Sequence, residues 1–414
     1  MIDGVKVSIL KVCMISSPVS GKLKDGIGSH VFELSKHISR LGCEVHVFCF
    51  NEITKDLVVD GIFVHSIGVS KHGSRLSLYP ELLLGMTREL NHFAKKYNLD
   101  VVHGHGGYAV GAIMSRLSRR IGKFVVTIHG VAYDEFRGRI RGIREFEEEL
   151  SKTAPSQRAL IAGFYMPFSK VLGTVVYNLT DMDIATCDFV AKEASEVYHI
   201  PFSRIKMIPH SVDPSRFSLA GDTHFRELLG LNGRKVVLYV GQLIARKGLI
   251  TLLNAFSMVH KKIPDATLLY IGKGYMKESL QLQARKLNMQ GSVIIYDQFI
   301  TEEEFPRIYS VGDVFVTPSL YESGISTCLL QAMSSCKPVI ATNIGAFPEI
   351  ISNNFNGFLV EKANAIQLAD SISFLLSNEK CSKEMGERGR ETVVAKFNWK
   401  TNAGKIVKLY ESLI

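Results

Sequence analysis

The sequence predicts two doubly wound α/β domains facing a cleft. Three observations predict it. Strand-length apolar runs alternate with helical patterns through both halves of the chain. Turns carrying glycine follow several of those strands, where open parallel sheets bind their ligands. The length, 414 residues, is enough for two separate cores. The composition, 46% hydrophobic and 21% charged, is that of an ordinary globular chain rather than a disordered one.

The first half opens with a buried strand at Val5–Ile15. Helical spacing starts near Ser29, with Val31, Phe32, Leu34, Ile38 and Leu41 on the apolar side and Gly42 as a cap. Glu44–Phe50 is the next strand, which gives a βαβ unit with Gly26 and Gly28 at the mouth of its helix. The third glycine of a dinucleotide fingerprint is missing, and taken alone the pair reads first as a turn that needs glycine. Further strands are expected at Gly61–Ile67, Asp100–His105, Lys123–His129, Asp181–Ala185 and Ile205–Ile208, and helices at Leu78–Tyr97, Gly107–Ile121 and Val190–Val197. His103, His105 and His129 fall at strand ends. A histidine there can donate to, or polarise, a sugar hydroxyl near neutral pH. His103 reads as structural, and His105 as intermediate. The three lack a ligand-type spacing such as HxxxH, so no metal is expected. Ala159–Asn178 reads as a pair of core-facing helices, with a membrane-touching amphipathic patch as the alternative.

The second half begins with a strand at Lys235–Val240, a glycine turn and a helix at Leu249–His260. Lys247 in that turn is placed for a diphosphate, as a point charge beside backbone amides. A cation near a helix start is otherwise slightly unfavourable, which favours a ligand-binding role. A strand and turn follow at Ala266–Gly274, a helix at Met276–Leu287, a strand at Val293–Tyr296 and a helix at Glu302–Tyr309. Asp313–Glu349 is the most informative stretch. It holds a buried strand, Val314–Thr317, then a polar turn, Ser319–Thr327, then a helix, Cys328–Ser335, and a strand, Pro338–Ala341. Backbone amides of Gly324, Ile325, Ser326 and Thr327 at a helix start suit a phosphate, and Gly324 lets the backbone approach it. Glu322 can accept hydrogen bonds from hydroxyl groups. A carboxylate beside such an anion site reads as a sugar next to a diphosphate.

This stretch resembles glycosyltransferase family 4. The carriers are Pro318-Ser319, Glu322, Gly324, the residue before Ala332-Met333, and the run Lys337–Thr342. The resemblance implies a retaining, nucleotide-sugar-dependent enzyme with two Rossmann-like domains, the GT-B fold, and a last helix, Thr401–Leu413, crossing back to the first domain. The family usually presents two glutamates seven residues apart. Here the first is Glu322, Leu330 stands at the strict second position, and Gln331 precedes Ala332, so the loop is one residue longer and the second acid is an amide. The run DGIGSHVFELSKHISRLGCEVHVF is similar to the family's first glycine-rich loop, with Asp25 replacing its leading glycine. That places Gly26 and Gly28 by donor phosphate and acceptor. His129-Gly130 matches a family position near the donor sugar. In GQLIARKG, Lys247 matches a phosphate-binding lysine, while Gln242 stands where the family has an arginine and Arg246 lies nearby. PHSVDPSRF resembles the family's hinge, so the domains are expected at 1–212 and 213–395, with 396–414 as the returning helix.

Lys and Arg exceed Asp and Glu by 49 − 40 = 9, with no basic block or tail. Nucleic acid is therefore not an expected partner, whereas anionic small ligands and an anionic membrane surface both suit the excess. Seven unpatterned cysteines argue for a reducing compartment. Val5–Ser16 reads as a strand rather than a targeting helix, and no apolar run is long enough to span a membrane. The charged segment Glu135–Leu150 reads as a solvated loop and helix with internal ion pairs, or as a mobile acceptor-side segment. The expectation is a cytoplasmic hexosyltransferase-like enzyme, with peripheral contact at the inner face of a membrane left open. Its donor would be held by Lys247, Glu322, Gln242, Gln331 and the Gly324–Thr327 amides, and His129 would face the sugar. The acceptor would be a hydroxyl of a saccharide, a lipid-linked sugar or a small molecule. No cofactor or metal is required, because amides and Lys247 can stabilise the leaving diphosphate. A non-catalytic sugar-nucleotide-binding paralogue and a GT-B sugar-nucleotide epimerase are the alternatives.

Overall fold

Strands that are apolar on both faces need cover on both faces, and each half of the chain meets that need with its own helix-covered sheet. The computed structural model describes residues 9–17, 26–51, 56–68, 75–131, 166–217, 224–298, 300–301 and 303–414. These fall into two units, one holding residues 9–131, 166–210 and Trp399–Ile414, the other Ser211–Asn398. Asp25, the charged segment 135–150 and residues 159–165 lie outside the described residues.

The first unit contains β1 (Lys11–Ser16), β2 (Glu44–Asn51), β3 (Asp56–Val59), β4 (Ile62–Gly68), β5 (Val101–His105), β6 (Lys123–Ile128), β7 (Met182–Ala185) and β8 (Ile205–Met207). They form one sheet in the order β3-β4-β2-β1-β5-β6-β7-β8. Every pairing is parallel except β3 with β4, a hairpin turning at Asp60-Gly61, both with positive φ. That edge strand was not expected, since the sequence reading begins only at Gly61. β1 and β5 are almost wholly buried, so their apolar runs need no alternation. Helix Gly26–Arg40 lays Val31, Leu34 and Ile38 on the sheet. The last helix, Trp399–Leu413, packs Trp399, Ala403, Ile406 and Tyr410 into the same core. Tyr410 is also tied polarly: its hydroxyl lies 2.5 Å from Nδ1 of His103, whose Nε2 is 2.7 Å from the Thr127 hydroxyl. His103 is thus fully engaged in the fold.

One local expectation needs correction. Gly107–Ile121 is not one α-helix. Gly106–Ala112 is a 3-10 run and only Ile113–Leu117 is α-helical, because three glycines in GGYAVGA weaken the wider helix. The described part of the expected core-facing pair is a single helix, Met166–Asn178, which buries Val176 and Tyr177 but exposes Phe168, Val171 and Val175.

The second unit contains β9 (Lys235–Val240), β10 (Ala266–Ile271), β11 (Val293–Tyr296), β12 (Val314–Thr317), β13 (Val339–Thr342) and β14 (Phe358–Val360). Their order is β11-β10-β9-β12-β13-β14, parallel throughout. Val237, Tyr239, Leu252, Phe256, Leu268 and Ile340 belong to its core. The chain leaves β9 toward β10 on one side and later returns to β12 on the other. Connections from the ends of β9 and β12 therefore diverge, which opens a crevice at that switch point. In the first unit the same reversal occurs between β1 and β5. Among the described residues no helix is long and apolar enough to cross a membrane.

Candidate active site

In the second unit, two loops meet at the β9/β12 switch point. The first runs from Gly241 through a 3-10 turn, Ala245–Lys247, to Gly248, which precedes helix Leu249–Lys262. The second runs from Pro318 to Ser326 and enters helix Thr327–Ser334. The backbone joins them: Leu320 N–H donates to the Arg246 carbonyl at 2.8 Å. The Thr342 hydroxyl steadies the second loop by donating to the Ser319 carbonyl at 2.6 Å. Gly248 makes the meeting feasible. Its φ is +66°, and a Cβ there would stand 2.0 Å from the Pro318 carbonyl oxygen.

Charges converge at this junction. Lys247 Nζ donates to Glu322 Oε2, Arg246 Nη1 lies 3.5 Å from Oε1, and the Ser319 hydroxyl donates to Oε2 at 3.3 Å. The Lys247 and Glu322 side chains are each 14% exposed, enough for a ligand to reach yet dry enough to strengthen the attraction. Burial opposes ionisation of Glu322, but Lys247 and Arg246 outweigh it and hold the carboxyl below its ordinary value. Two cations against one carboxylate leave a surplus positive charge, which suits an anion. Gly324, Ser326 and Thr327 are half-buried beside it, Ile325 is buried, and Ser326 does not cap the helix with its own hydroxyl.

The remaining predicted donor residues are placed differently. Gln242 is exposed at the start of the first loop, where its carbonyl accepts from the Tyr239 hydroxyl at 2.8 Å. Arg246, not position 242, brings the second cation to Glu322. Gln331 lies one turn into helix Thr327–Ser334, its Oε1 accepting from the buried Tyr309 hydroxyl at 2.7 Å. Its oxygen is thereby committed to packing, and its NH2 group remains the hydrogen-bonding end a ligand would use.

In the first unit, Gly26 and Gly28 lie within helix Gly26–Arg40 rather than in a loop. Next to them, histidines gather at the strand ends. His105 closes β5, and His129 follows β6; His105 Nδ1 and His129 Nε2 are 3.1 Å apart. His30 stands against both, with ring centroids 5.5 Å from His105 and 4.7 Å from His129, and its other side meets His210 and Trp399. Burial, then the neighbouring imidazoles, pushes His30 and His105 well below the usual histidine range and His129 down to about 3. These rings are therefore neutral, each with one donor and one acceptor nitrogen. His30 was missed by the sequence reading. Its signal was present: it sits four residues before Leu34 and eight before Ile38, on the face that helix buries.

Two helix-covered, almost wholly parallel sheets, with the last helix packed in the core of the first, are the architecture of the GT-B fold. The family follows from the sequence. Residues 24–216 match the family described as Glycosyltransferase Family 4, and residues 222–392 match the one described as Glycosyl transferases group 1. The chain belongs to glycosyltransferase family 4. It is 25% identical to the N-acetyl-alpha-D-glucosaminyl L-malate synthase of Bacillus anthracis, over 95% of this chain and 96% of that one. Its fold is similar to that of the sucrose-phosphate synthase from Thermosynechococcus elongatus (TM-score 0.79, 21% identity, 98% of this chain and 99% of that one). It is likewise similar to Anabaena HepE solved in complex with UDP-glucose (TM-score 0.72, 17% identity, 97% and 100%).

Proposed function

We propose that the protein transfers a sugar, with retention of anomeric configuration, from a nucleoside-diphosphate sugar to a hydroxyl acceptor. The observation that carries this reading is the convergence of Lys247, Arg246 and Glu322 where the loops after β9 and β12 meet. A relative of the same fold holds UDP-glucose, which supports a nucleotide-sugar donor here. On binding, the diphosphate would take Lys247 away from Glu322, and Glu322 would accept from hydroxyl groups of the donor. The Gly324, Ile325, Ser326 and Thr327 amides and Arg246 complete the phosphate contacts. Gln331 offers its NH2 to the ribose, and Gln242 lines the approach. These cations and amides neutralise the diphosphate as the sugar–phosphate bond breaks and the acceptor oxygen bonds the anomeric carbon, so the transfer calls for no metal at the phosphates. The acceptor hydroxyl's proton leaves with the diphosphate. The first unit takes the other duties: neutral His129 hydrogen-bonds the sugar, and the Gly26–Gly28 turn accommodates donor phosphate and acceptor.

The division of labour is tested by His129→Ala. Turnover is expected to fall about 10–100-fold, while the dissociation constant for the nucleoside diphosphate changes by less than about threefold. Single-turnover kinetics beside calorimetric titration reads both. Collapse of nucleotide affinity with undiminished turnover per bound donor would show that His129 serves the nucleotide instead.

A further inference from the structure

We propose that His30, His105 and His129 form a binding site for a divalent transition-metal ion of the zinc class in the first unit. One ring nitrogen from each lies within 4.8 Å of the other two. Two imidazole nitrogens bound tetrahedrally at about 2.0–2.1 Å stand about 3.4 Å apart. The His105–His129 pair, at 3.1 Å, is already at that spacing.

An independent observation points to a ligand. His30 is 5% exposed, yet neither of its ring nitrogens has a hydrogen-bond partner among the described residues, and His105 Nε2 is likewise buried without one. Buried polar atoms are seldom left so, because each costs about 1–3 kcal/mol. An ion held by His105 Nδ1 and His129 Nε2 would give one of the two His30 nitrogens a partner. The three rings offer nitrogen ligands of the kind zinc takes. They also stand on firm supports: the first helix, the end of β5 and the end of β6. Trp399 and His210 close the far side of His30, at ring-centroid distances of 5.0 and 4.5 Å. Three neutral ligands leave the ion its full charge and an open fourth position, and imidazole nitrogen selects zinc or a similar ion over the oxygen-preferring magnesium and calcium.

Occupation of the site would draw His129 away from the sugar. Zinc is therefore expected to inhibit transfer, a consequence that rests on the function proposed above; the site itself does not.

The test is direct binding. Metal-stripped protein is titrated with Co2+, read by visible absorption, and with Zn2+, read calorimetrically, for wild type, His30→Gln and His105→Gln. One ion per chain is expected, with tetrahedral nitrogen–oxygen bands and no thiolate charge-transfer band. Each variant should weaken binding at least about tenfold, while Cys336→Ser, at an exposed thiol, should not. X-ray absorption of the wild-type zinc complex gives a readout that does not depend on how the variants fold: three imidazoles are expected in the shell. Absence of stoichiometric binding, a sulfur-containing shell, or unchanged affinity in both folded variants overturns the site. Tight zinc binding with full transferase activity would keep the site and remove His129 from the sugar. Failure to bind zinc would leave the transfer reading untouched.

Discussion

Replacing Lys247 with alanine is expected to weaken nucleoside-diphosphate binding by about 10–100-fold. A hydrogen bond to a charged group is worth roughly 1.5–3 kcal/mol, and each 1.4 kcal/mol is about tenfold in affinity. The loss should also reach stability. Lys247 is the nearest cation to Glu322, and without it the carboxylate keeps Arg246, at 3.5 Å, and the neutral Ser319 hydroxyl. A half-buried acid with weaker compensation lowers the melting temperature. A second substitution separates the two effects. In Lys247→Ala/Glu322→Gln the uncompensated charge is gone, so the melting temperature should recover while affinity does not. Isothermal titration and melting curves on both variants decide it. An unchanged dissociation constant in Lys247→Ala would remove that residue from the site.

Gly248→Ala is expected to be the more damaging change to the fold. The added Cβ would meet the Pro318 carbonyl oxygen at 2.0 Å, and backbone atoms cannot swing aside as a flexible side chain can. Positive φ costs an alanine about 1–2 kcal/mol, and overpacking adds about 1–3. At roughly 2–4 °C per kcal/mol for a unit of this size, the melting temperature should fall by about 10 °C. Because the strained loops are those carrying Lys247 and Glu322, nucleotide affinity should fall with it. Gly230→Ala is the control: its φ is +64°, but nothing lies within 4 Å of its would-be Cβ. It carries the backbone strain without the contact. If Gly248→Ala loses no more stability than Gly230→Ala, the close approach of the two loops is not what fixes the site.

Much of this arrangement was legible from residues alone. Buried strands announce themselves as short apolar runs, and the loops after them are where an open parallel sheet must place its ligands. Lys247 and Glu322 could each be located in that way. Their mutual contact could not, because it joins residues 75 apart through the sheet order. Motif spacing put Gln242 where the family has an arginine and left Arg246 as a candidate substitute. The 3-10 turn at Ala245–Lys247 brings Arg246 to Glu322. Gln331 was read as an acid's replacement at the ribose, yet its oxygen already accepts from Tyr309, a buried residue with no motif to flag it. The β3–β4 hairpin was missed although Asp60-Gly61 between apolar residues is a strong hairpin signal. His103, His105 and His129 were weighed along the sequence, where no spacing joins them, and the cluster of His105 and His129 with His30 was not foreseen. It assembles only when one helix and two adjacent strands bring their ends together.

The stereochemistry of the first product tests the central claim most directly. The protein is incubated with an α-linked nucleoside-diphosphate sugar and a panel of hydroxyl acceptors, and the new anomeric centre is read by proton NMR before it can equilibrate. The account predicts an α-linked product formed in step with nucleoside-diphosphate release. A β-linked product would contradict retention. Tight donor binding with no release on any acceptor, or a rearranged sugar formed from donor alone, would contradict transfer itself.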